Sequence, residues 1–135
     1  FKIGKGVLLE EGSDVTIIAT GHLVWEAIEA SKELKRSGVN VDIINIHTIK
    51  PLDKDLILKS VNKTKCIVTA EEHMLNGGLG DSIAQLIALE NPTPLEMVGV
   101  NDTFGESGTP RQLMEKYGLT AKDIVKATKK VLSRK

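Results

Sequence analysis

Aromatic side chains are scarce in this sequence. Trp25, Tyr117, Phe1 and Phe104 make up 3% of its 135 residues. Proteins that bind single-stranded nucleic acid without sequence preference rely on several exposed rings for base stacking. Basic and acidic residues are equal in number, at 18 each, so no net charge attracts a polyanion or an anionic membrane surface. The composition therefore predicts neither a nucleic-acid partner nor a membrane partner.

Cysteine occurs only once, at Cys66, so the chain cannot form an internal disulfide and offers no pair of thiols to a metal. The neighbouring Ile67 and Val68 indicate that Cys66 is buried in a strand. No apolar run approaches the roughly 20 residues that cross a bilayer, and no signal-like segment opens the chain. We therefore expect a cytoplasmic protein. The first residue is Phe1 rather than methionine, which suggests a piece of something longer.

The remaining composition is ordinary for a globular protein, with 41% hydrophobic and 27% charged residues. A chain of this length fits one domain that buries about two-thirds of its unfolded surface. The sequence contains no internal repeat, low-complexity tract or linker. We therefore expect residues 1–135 to form a single domain.

Strand-like and helix-like patterns alternate along the chain. Short apolar, β-branched runs at 14–20, 39–46, 65–71 and 95–100 predict strands that are covered on both faces, and 6–10 adds a short edge strand. Helical patterns occupy 23–37 and 81–89, and three more helices are predicted from Asp53, from Thr109-Pro110 and from Thr120 with Asp123. This order predicts an α/β fold with a mostly parallel sheet and helices on both faces.

The stretch 71–80, with the sequence EEHMLNGGLG, lies between the third predicted strand and a predicted helix. The carboxyl ends of parallel strands are where ligands and partners bind, and glycines let the backbone come close where the next helix starts. We therefore place the function of this chain at that edge. Strand alternation sends Glu71 and Glu72 to opposite sides, which makes them a poor pair for acid–base catalysis. We favour a structural role for Glu72 with His73.

His22, His47 and His73 each fall just beyond a predicted strand and could share this edge. A metal site or an acid–base site is conceivable, because neutral imidazole binds metals and titrates near physiological pH. Ligands from three separate loops carry no spacing signature, however. Hydrogen bonding within loops is the interpretation that we favour.

The glycine loop also suggests a nucleotide site, but it fits the dinucleotide fingerprint poorly. Ile83 occupies the position of the third glycine, and no acidic residue stands where a ribose ligand is expected. Gly77, Gly78 and Gly80 equally permit a tight turn and close packing of the following helix. We favour the packing role.

Three segments together resemble one family. They are the stretch 71–80, the sequence KPLD at 50–53, and the sequence DTFGESG at 102–108 followed by EKYGLT at 115–120. In these segments the chain resembles the C-terminal domain of transketolase. Related C-terminal domains occur in deoxyxylulose-phosphate synthase and in the beta subunit of the decarboxylating component of pyruvate dehydrogenase.

The resemblance implies a three-layer α/β/α domain with a five-stranded, mostly parallel sheet and one antiparallel edge strand. It implies transfer of a two-carbon ketol unit between sugar phosphates, with thiamine diphosphate and a divalent cation in the full enzyme. The family's diphosphate–metal motif has no counterpart here, so no catalytic, cofactor-binding or metal-binding residue is carried over. The isolated chain is then expected to be inactive and to bind no cofactor alone.

The partners implied are the pyrimidine-binding and diphosphate-binding domains of the same enzyme, in a homo-oligomer or hetero-oligomer. The candidate docking or anion-facing edge consists of His22, Glu72, His73, Asn76, Gly77, Gly78 and Gly80. Two alternatives from other classes stay open: an independent nucleotide-binding or acyl-carrier-binding module, and a pure assembly scaffold.

Overall fold

Strands and helices alternate in the computed structural model. It describes residues 4–47, 51–74, 78–100 and 110–135. Four of these residues are described by their backbone only: His73, Met74, Val100 and Pro110. The strands are β1 (Val7–Glu10), β2 (Val15–Ala19), β3 (Val41–Asn45), β4 (Ile67–Met74) and β5 (Leu95–Val100). The helices are α1 (Leu23–Arg36), α2 (Lys54–Thr64), α3 (Leu79–Glu90), α4 (Pro110–Lys116) and α5 (Ala121–Ser133).

The strands form one sheet in the order β1-β3-β2-β4-β5. Strand β1 pairs antiparallel with β3, and the other pairs are parallel. The predicted mostly parallel, five-stranded sheet with one antiparallel edge strand is therefore confirmed. The register of β1 shifts between Leu8 and Glu10, and Val7, Leu8 and Leu9 are exposed on this edge strand.

Each face of the sheet carries its own layer of helices, because successive strand residues point to opposite faces. Val15 and Ile17 belong to a core with residues of α1 and α5, such as Leu34. Ile18 and Ile44 belong to a second core, formed with residues of α2 and α3. The three-layer α/β/α architecture predicted from the resemblance is confirmed.

A buried polar network fastens α2 to the amino ends of the strands. The carboxylate of Asp42 accepts hydrogen bonds from the backbone of Gly12 at 2.8 Å and from Ser60 Oγ at 2.6 Å. Lys63 Nζ lies 2.8 Å from the same carboxylate. Thr16 Oγ1 is 2.6 Å from Ser60 Oγ, so the hydroxyl groups extend the network to β2.

The caps predicted at Asp53 and at Thr120 with Asp123 are confirmed, whereas Thr109, at the predicted start of α4, lies outside the described residues. Asp53 Oδ1 accepts from the Leu56 N–H at 3.3 Å at the start of α2. Asp123 Oδ2 accepts from the Thr120 N–H at 2.9 Å at the start of α5. Gly118 follows α4 with a φ of 71°. No helix in the described ranges is both long and apolar enough to cross a membrane.

Two predicted boundaries near the glycine loop were wrong. The third long strand does not end at Glu71 but continues to Met74, because pairing with β5 resumes at Met74 and Val100 after an irregularity that follows Ala70. His73 therefore lies within β4 rather than just beyond it. The next helix begins at Leu79, two residues before the predicted start at 81.

Candidate functional site

Glu71 holds the start of α3 against the carboxyl end of β4. Its side chain is fully buried, Oε1 accepts from the Leu79 N–H at 2.9 Å, and Oε2 accepts from the Gly80 N–H at 2.7 Å. The first N–H groups of a helix have no partner within the helix and lie at the positive end of its dipole. The Glu71 carboxylate therefore satisfies two of these donors and is itself stabilised by them.

Glu72 contacts the start of α1 on the opposite face of the sheet, through one exposed hydrogen bond. Its Oε1 accepts from the N–H of His22, the N-cap residue of α1, at 2.8 Å. Gly21 makes room for this contact, since a Cβ there would lie 2.8 Å from Glu72 Oε1, and its φ is 56°. The predicted divergence of the two glutamates is confirmed. The described partner of Glu72 is the backbone N–H of His22. The expected pairing with His73 stays a prediction, because the side chain of His73 lies outside the described residues.

Glu26 is a third carboxylate at this edge and joins three helices. It is 8% exposed, and its Oε1 accepts from the Ala121 N–H of α5 at 3.0 Å and from Arg111 Nη1 of α4 at 3.3 Å. His22 Nε2 lies 3.9 Å from Glu26 Oε2. Arg111 also reaches Glu115 Oε1, at 3.3 Å. These contacts attach α4 and α5 to the first turns of α1.

Glu71, Glu26 and Arg111 were not among the predicted site residues. An acid at the end of a strand, followed by glycines and a helix, is a sequence signal that could have identified Glu71 as a cap. Glu26 stands four residues after His22, a spacing that brings helical side chains together. Its contacts with Ala121 and Arg111 join distant parts of the chain, so no local pattern reveals them.

Gly80 lets α3 approach the sheet closely. A Cβ at this position would lie 2.8 Å from Met97 Sδ and 3.2 Å from Thr69 Oγ1. Real side chains do not approach at the first of these distances without displacing a neighbour. The packing role that we favoured for the glycine loop is therefore confirmed at Gly80.

The structure brings some of the predicted site residues together. His22 and Glu72 are in contact through the backbone of His22, while Gly78 is the N-cap residue of α3 and Gly80 lies in its first turn. His47 follows β3, as expected. The side chain of His73 and all of Asn76 and Gly77 lie outside the described residues, as does the family-like loop 101–109.

The electrostatics of this edge are set by carboxylates. Glu26 and Glu115 both contact Arg111, whereas Glu71 and Glu72 accept from backbone N–H groups at the starts of α3 and α1. The two helix starts that would attract a phosphate already hold a carboxylate each. Within the described part of the chain, no group of three or more His, Cys, Asp or Glu residues is placed to hold a metal ion.

Cys66 lies at the opposite end of the strands and is buried, as predicted. Its thiol donates to the carbonyl oxygen of Asp14 at 3.3 Å. Burial raises the pKa of the Cys66 thiol, because a thiolate would lose its hydration there.

Comparison with known proteins identifies the family. The family described as "Transketolase, C-terminal domain" matches residues 4–124. The chain belongs to this family. A solved structure titled "Split gene transketolase, inactive beta4 tetramer" superposes with a TM-score of 0.95 at 47% identity, covering 98% of this chain and 44% of that one.

Named relatives in this transketolase family include subunits and longer enzymes. The "6-deoxy-6-sulfo-D-fructose transketolase subunit SqwH" of Clostridium sp. (strain MSTE9) is 48% identical over 100% of this chain and 42% of its own length. A "Putative transketolase C-terminal section" of Methanocaldococcus jannaschii is 43% identical over 93% of this chain and 39% of its own length. "1-deoxy-D-xylulose-5-phosphate synthase 1" of Geobacter sulfurreducens is 41% identical over 98% of this chain and 21% of its own length. The chain thus spans less than half of each of these relatives.

Proposed function

We propose that this chain is the C-terminal domain or subunit of a transketolase that transfers a two-carbon ketol unit between sugar phosphates. Its own contribution is assembly and docking rather than catalysis. The observation that carries this proposal is that Glu71 accepts from two N–H groups of the first turn of α3 and Glu72 accepts from the N-cap N–H of α1. An edge whose helix starts are satisfied from within is a shaped surface, not an open phosphate site.

The docking edge that we propose consists of His22, Glu72, His73, Asn76, Gly77, Gly78 and Gly80. We favour contact with a partner domain over contact with an anionic group, because carboxylates outnumber the arginine in the described contacts of this edge. Thiamine diphosphate and its divalent cation are then held by the pyrimidine-binding and diphosphate-binding domains. The chain spans only 42% and 39% of the length of two relatives, so more than half of each is left for those domains.

Reconstitution tests the proposal. The purified chain should neither bind thiamine diphosphate nor turn over a ketose and an aldose. Mixing it with the polypeptide that carries the missing domains, with cofactor and Mg²⁺, should produce ketol transfer. Cofactor binding by the chain alone, or full activity of the other polypeptide without it, would contradict the proposal.

The docking edge has its own test in the reconstituted enzyme. The double substitution His73→Ala/Asn76→Ala should weaken association of the two polypeptides, measured by analytical ultracentrifugation, with a matching loss of activity. Asn40→Ala, an exposed residue beyond the amino ends of the strands, is the control and should change neither. Unchanged association and activity in the double variant would count against the edge.

Related thiamine-dependent enzymes are the alternative. Relatives named as 1-deoxy-D-xylulose-5-phosphate synthases are 41% and 40% identical to the chain, and a 2-oxo acid dehydrogenase beta subunit is the third possibility. The reconstituted enzyme should therefore also be assayed for formation of 1-deoxy-D-xylulose 5-phosphate. Because the name of one relative specifies a 6-deoxy-6-sulfo sugar, a sulfonated ketose belongs beside the phosphorylated ones in the substrate panel.

A further inference from the structure

An apolar groove lies on the outer side of the layer that contains α2 and α3. It has a volume of about 400 Å³, and Leu52 and Leu86 are among the residues that line it. Leu89 of α3 also lines the groove and is 85% exposed. A hollow with apolar walls therefore lies directly beside an apolar side chain that projects into solvent.

Two side chains of opposite charge line the same groove. Lys54 is the first residue of α2, and Glu90 is the last residue of α3. Both are exposed, and they do not pair with each other. Across the described ranges, neither side chain makes an ion pair or a hydrogen bond with any other residue. The groove thus presents one unpaired cation and one unpaired anion together with apolar surface.

The two charges lie at opposite ends of the groove. Helices α2 and α3 follow β3 and β4, which both run parallel to β2, so the two helices start at the same edge of the sheet. Their ends are also adjacent, because Asn91 Nδ2 lies 2.6 Å from Asn62 Oδ1. Lys54 is therefore at the end where α3 starts. Glu90 comes eight residues after Ser82, which also lines the groove, and is thus about 12 Å further along α3.

We propose that this groove is a self-association surface, at which a second copy of the chain binds with two-fold symmetry, independently of the transketolase role. A two-fold rotation reverses the direction of α3, so Lys54 of each copy meets Glu90 of the other. The same rotation brings Leu89 of each copy to the opposite end of the other groove, where Pro51 and Leu52 line it. Every contact in such a dimer occurs twice, which is the condition for an isologous interface.

A second copy fits the groove better than a small anionic ligand does. An anion would pair with Lys54 but would leave Glu90 unpaired, whereas a second copy supplies a partner for each charge and covers Leu89. The groove is small compared with the interface of a permanent dimer. We therefore expect an association that is reversible and depends on concentration.

Sedimentation velocity of the full chain at a series of concentrations tests the proposal. The wild-type chain should show a monomer–dimer equilibrium. K54E places two acids in each contact and E90K places two bases, so each variant should raise the dimer Kd by about tenfold or more. Leu89→Asn should also weaken the dimer, and it should not affect the fold because Leu89 is exposed.

Exchange of the charges makes the test specific for this pairing. An equimolar mixture of K54E and E90K should form a heterodimer, because an acid meets a base in both contacts. The double variant K54E/E90K should dimerise by itself for the same reason. K59E and E33K are the controls, since they change the net charge equally at exposed positions outside the groove and should dimerise like the wild type. Circular dichroism should show that all variants are folded.

Three results would overturn the proposal. The first is a wild-type chain that stays monomeric at every concentration; binding of dodecanoate by that monomer, lost in K54E, would assign the groove to a small amphipathic anion instead. The second is a dimer that K54E and E90K weaken no more than K59E and E33K do. The third is failure of both the mixture and the double variant to dimerise.

Discussion

Glu71 shows how a buried charge becomes part of the fold. An unpaired carboxylate in a protein interior is strongly destabilising, but this one accepts two backbone hydrogen bonds at the positive end of a helix dipole. The same two bonds satisfy donors that α3 cannot satisfy itself. Glu71 is thus a structural group, although its position at the end of a strand before a glycine loop is typical of a reacting one.

At Gly80 even the smallest substitution, to alanine, should destabilise the fold. We expect Gly80→Ala to lower the free energy of unfolding by about 1 kcal/mol, because overpacking against Met97 outweighs the gain in helix propensity. Urea denaturation followed by circular dichroism measures this. In combination with Met97→Val, which removes the contact, Gly80→Ala should cost less than it does alone. Additive effects of the two substitutions would contradict the proposed clash.

Cys66 should react slowly in the folded protein. Burial raises the pKa of its thiol, so little thiolate is present near neutral pH, and access is blocked as well. We expect alkylation by iodoacetamide, followed by mass spectrometry, to be at least about tenfold faster in urea than in buffer. Equal rates in the two conditions would contradict the buried position.

The raised pKa of Cys66 also predicts how stability depends on pH. The thiol of the unfolded chain ionises at lower pH than that of the folded chain. The free energy of unfolding should therefore decline once the pH exceeds about 8.5, the usual pKa of a free thiol, and it should be independent of this group below that value. Denaturation of the Cys66→Ser variant at a series of pH values provides the control, since it should lack this part of the decline.

The starts of α1 and α3 are each contacted by one of two adjacent glutamates of β4. Substitution of one glutamate should therefore affect only the helix that it contacts. Glu71→Ala should raise amide hydrogen exchange in the first turn of α3 and lower the free energy of unfolding by about 3 kcal/mol, since two buried donors lose a charged partner. Glu72→Ala should raise exchange in the first turn of α1 and cost about 1 kcal/mol, because this contact is exposed.

Mass spectrometry of the exchanged peptides distinguishes the two helices. Each variant is the control for the other, because both remove a glutamate from neighbouring positions of β4. Loss of protection at the same helix in both variants, or at neither, would contradict the assignment of one carboxylate to each face.

Most elements could be predicted from the sequence, because their signals are local. The caps at Asp53 and Asp123 and the apolar runs of β2 and β3 depend on residues within one turn or one strand. The end of β4 and the start of α3 could not be predicted. Both depend on contacts across the sheet: the pairing of Met74 with Val100 and the capping of α3 by Glu71. For the same reason the contact of Glu26 with Arg111 could not be predicted.

At the scale of the whole molecule, the two cores share one sheet, and we propose that they unfold together as a single domain. Ile124 and Ile83 are fully buried, one in each core. Ile124→Val and Ile83→Val should each lower the free energy of unfolding by about 1 kcal/mol. Each variant should keep one cooperative transition in circular dichroism.

These two variants form a matched pair, since each removes one methylene from the interior of a different layer. Two resolved transitions in either variant would show that the cores unfold independently. That outcome would also require the docking edge to be treated as two surfaces, because α1 and α3 belong to different cores.

The adjacent glutamates at the end of β4 also affect which genetic changes the domain tolerates. Each side chain leaves the strand on its own face, so neither glutamate can replace the other, and the pair acts as two separate constraints rather than one acidic patch. Deletion of a single codon in β4 before Glu71 would exchange the faces of both residues at once. Variants of this segment in nature or in a library should therefore differ in side chains far more readily than in length.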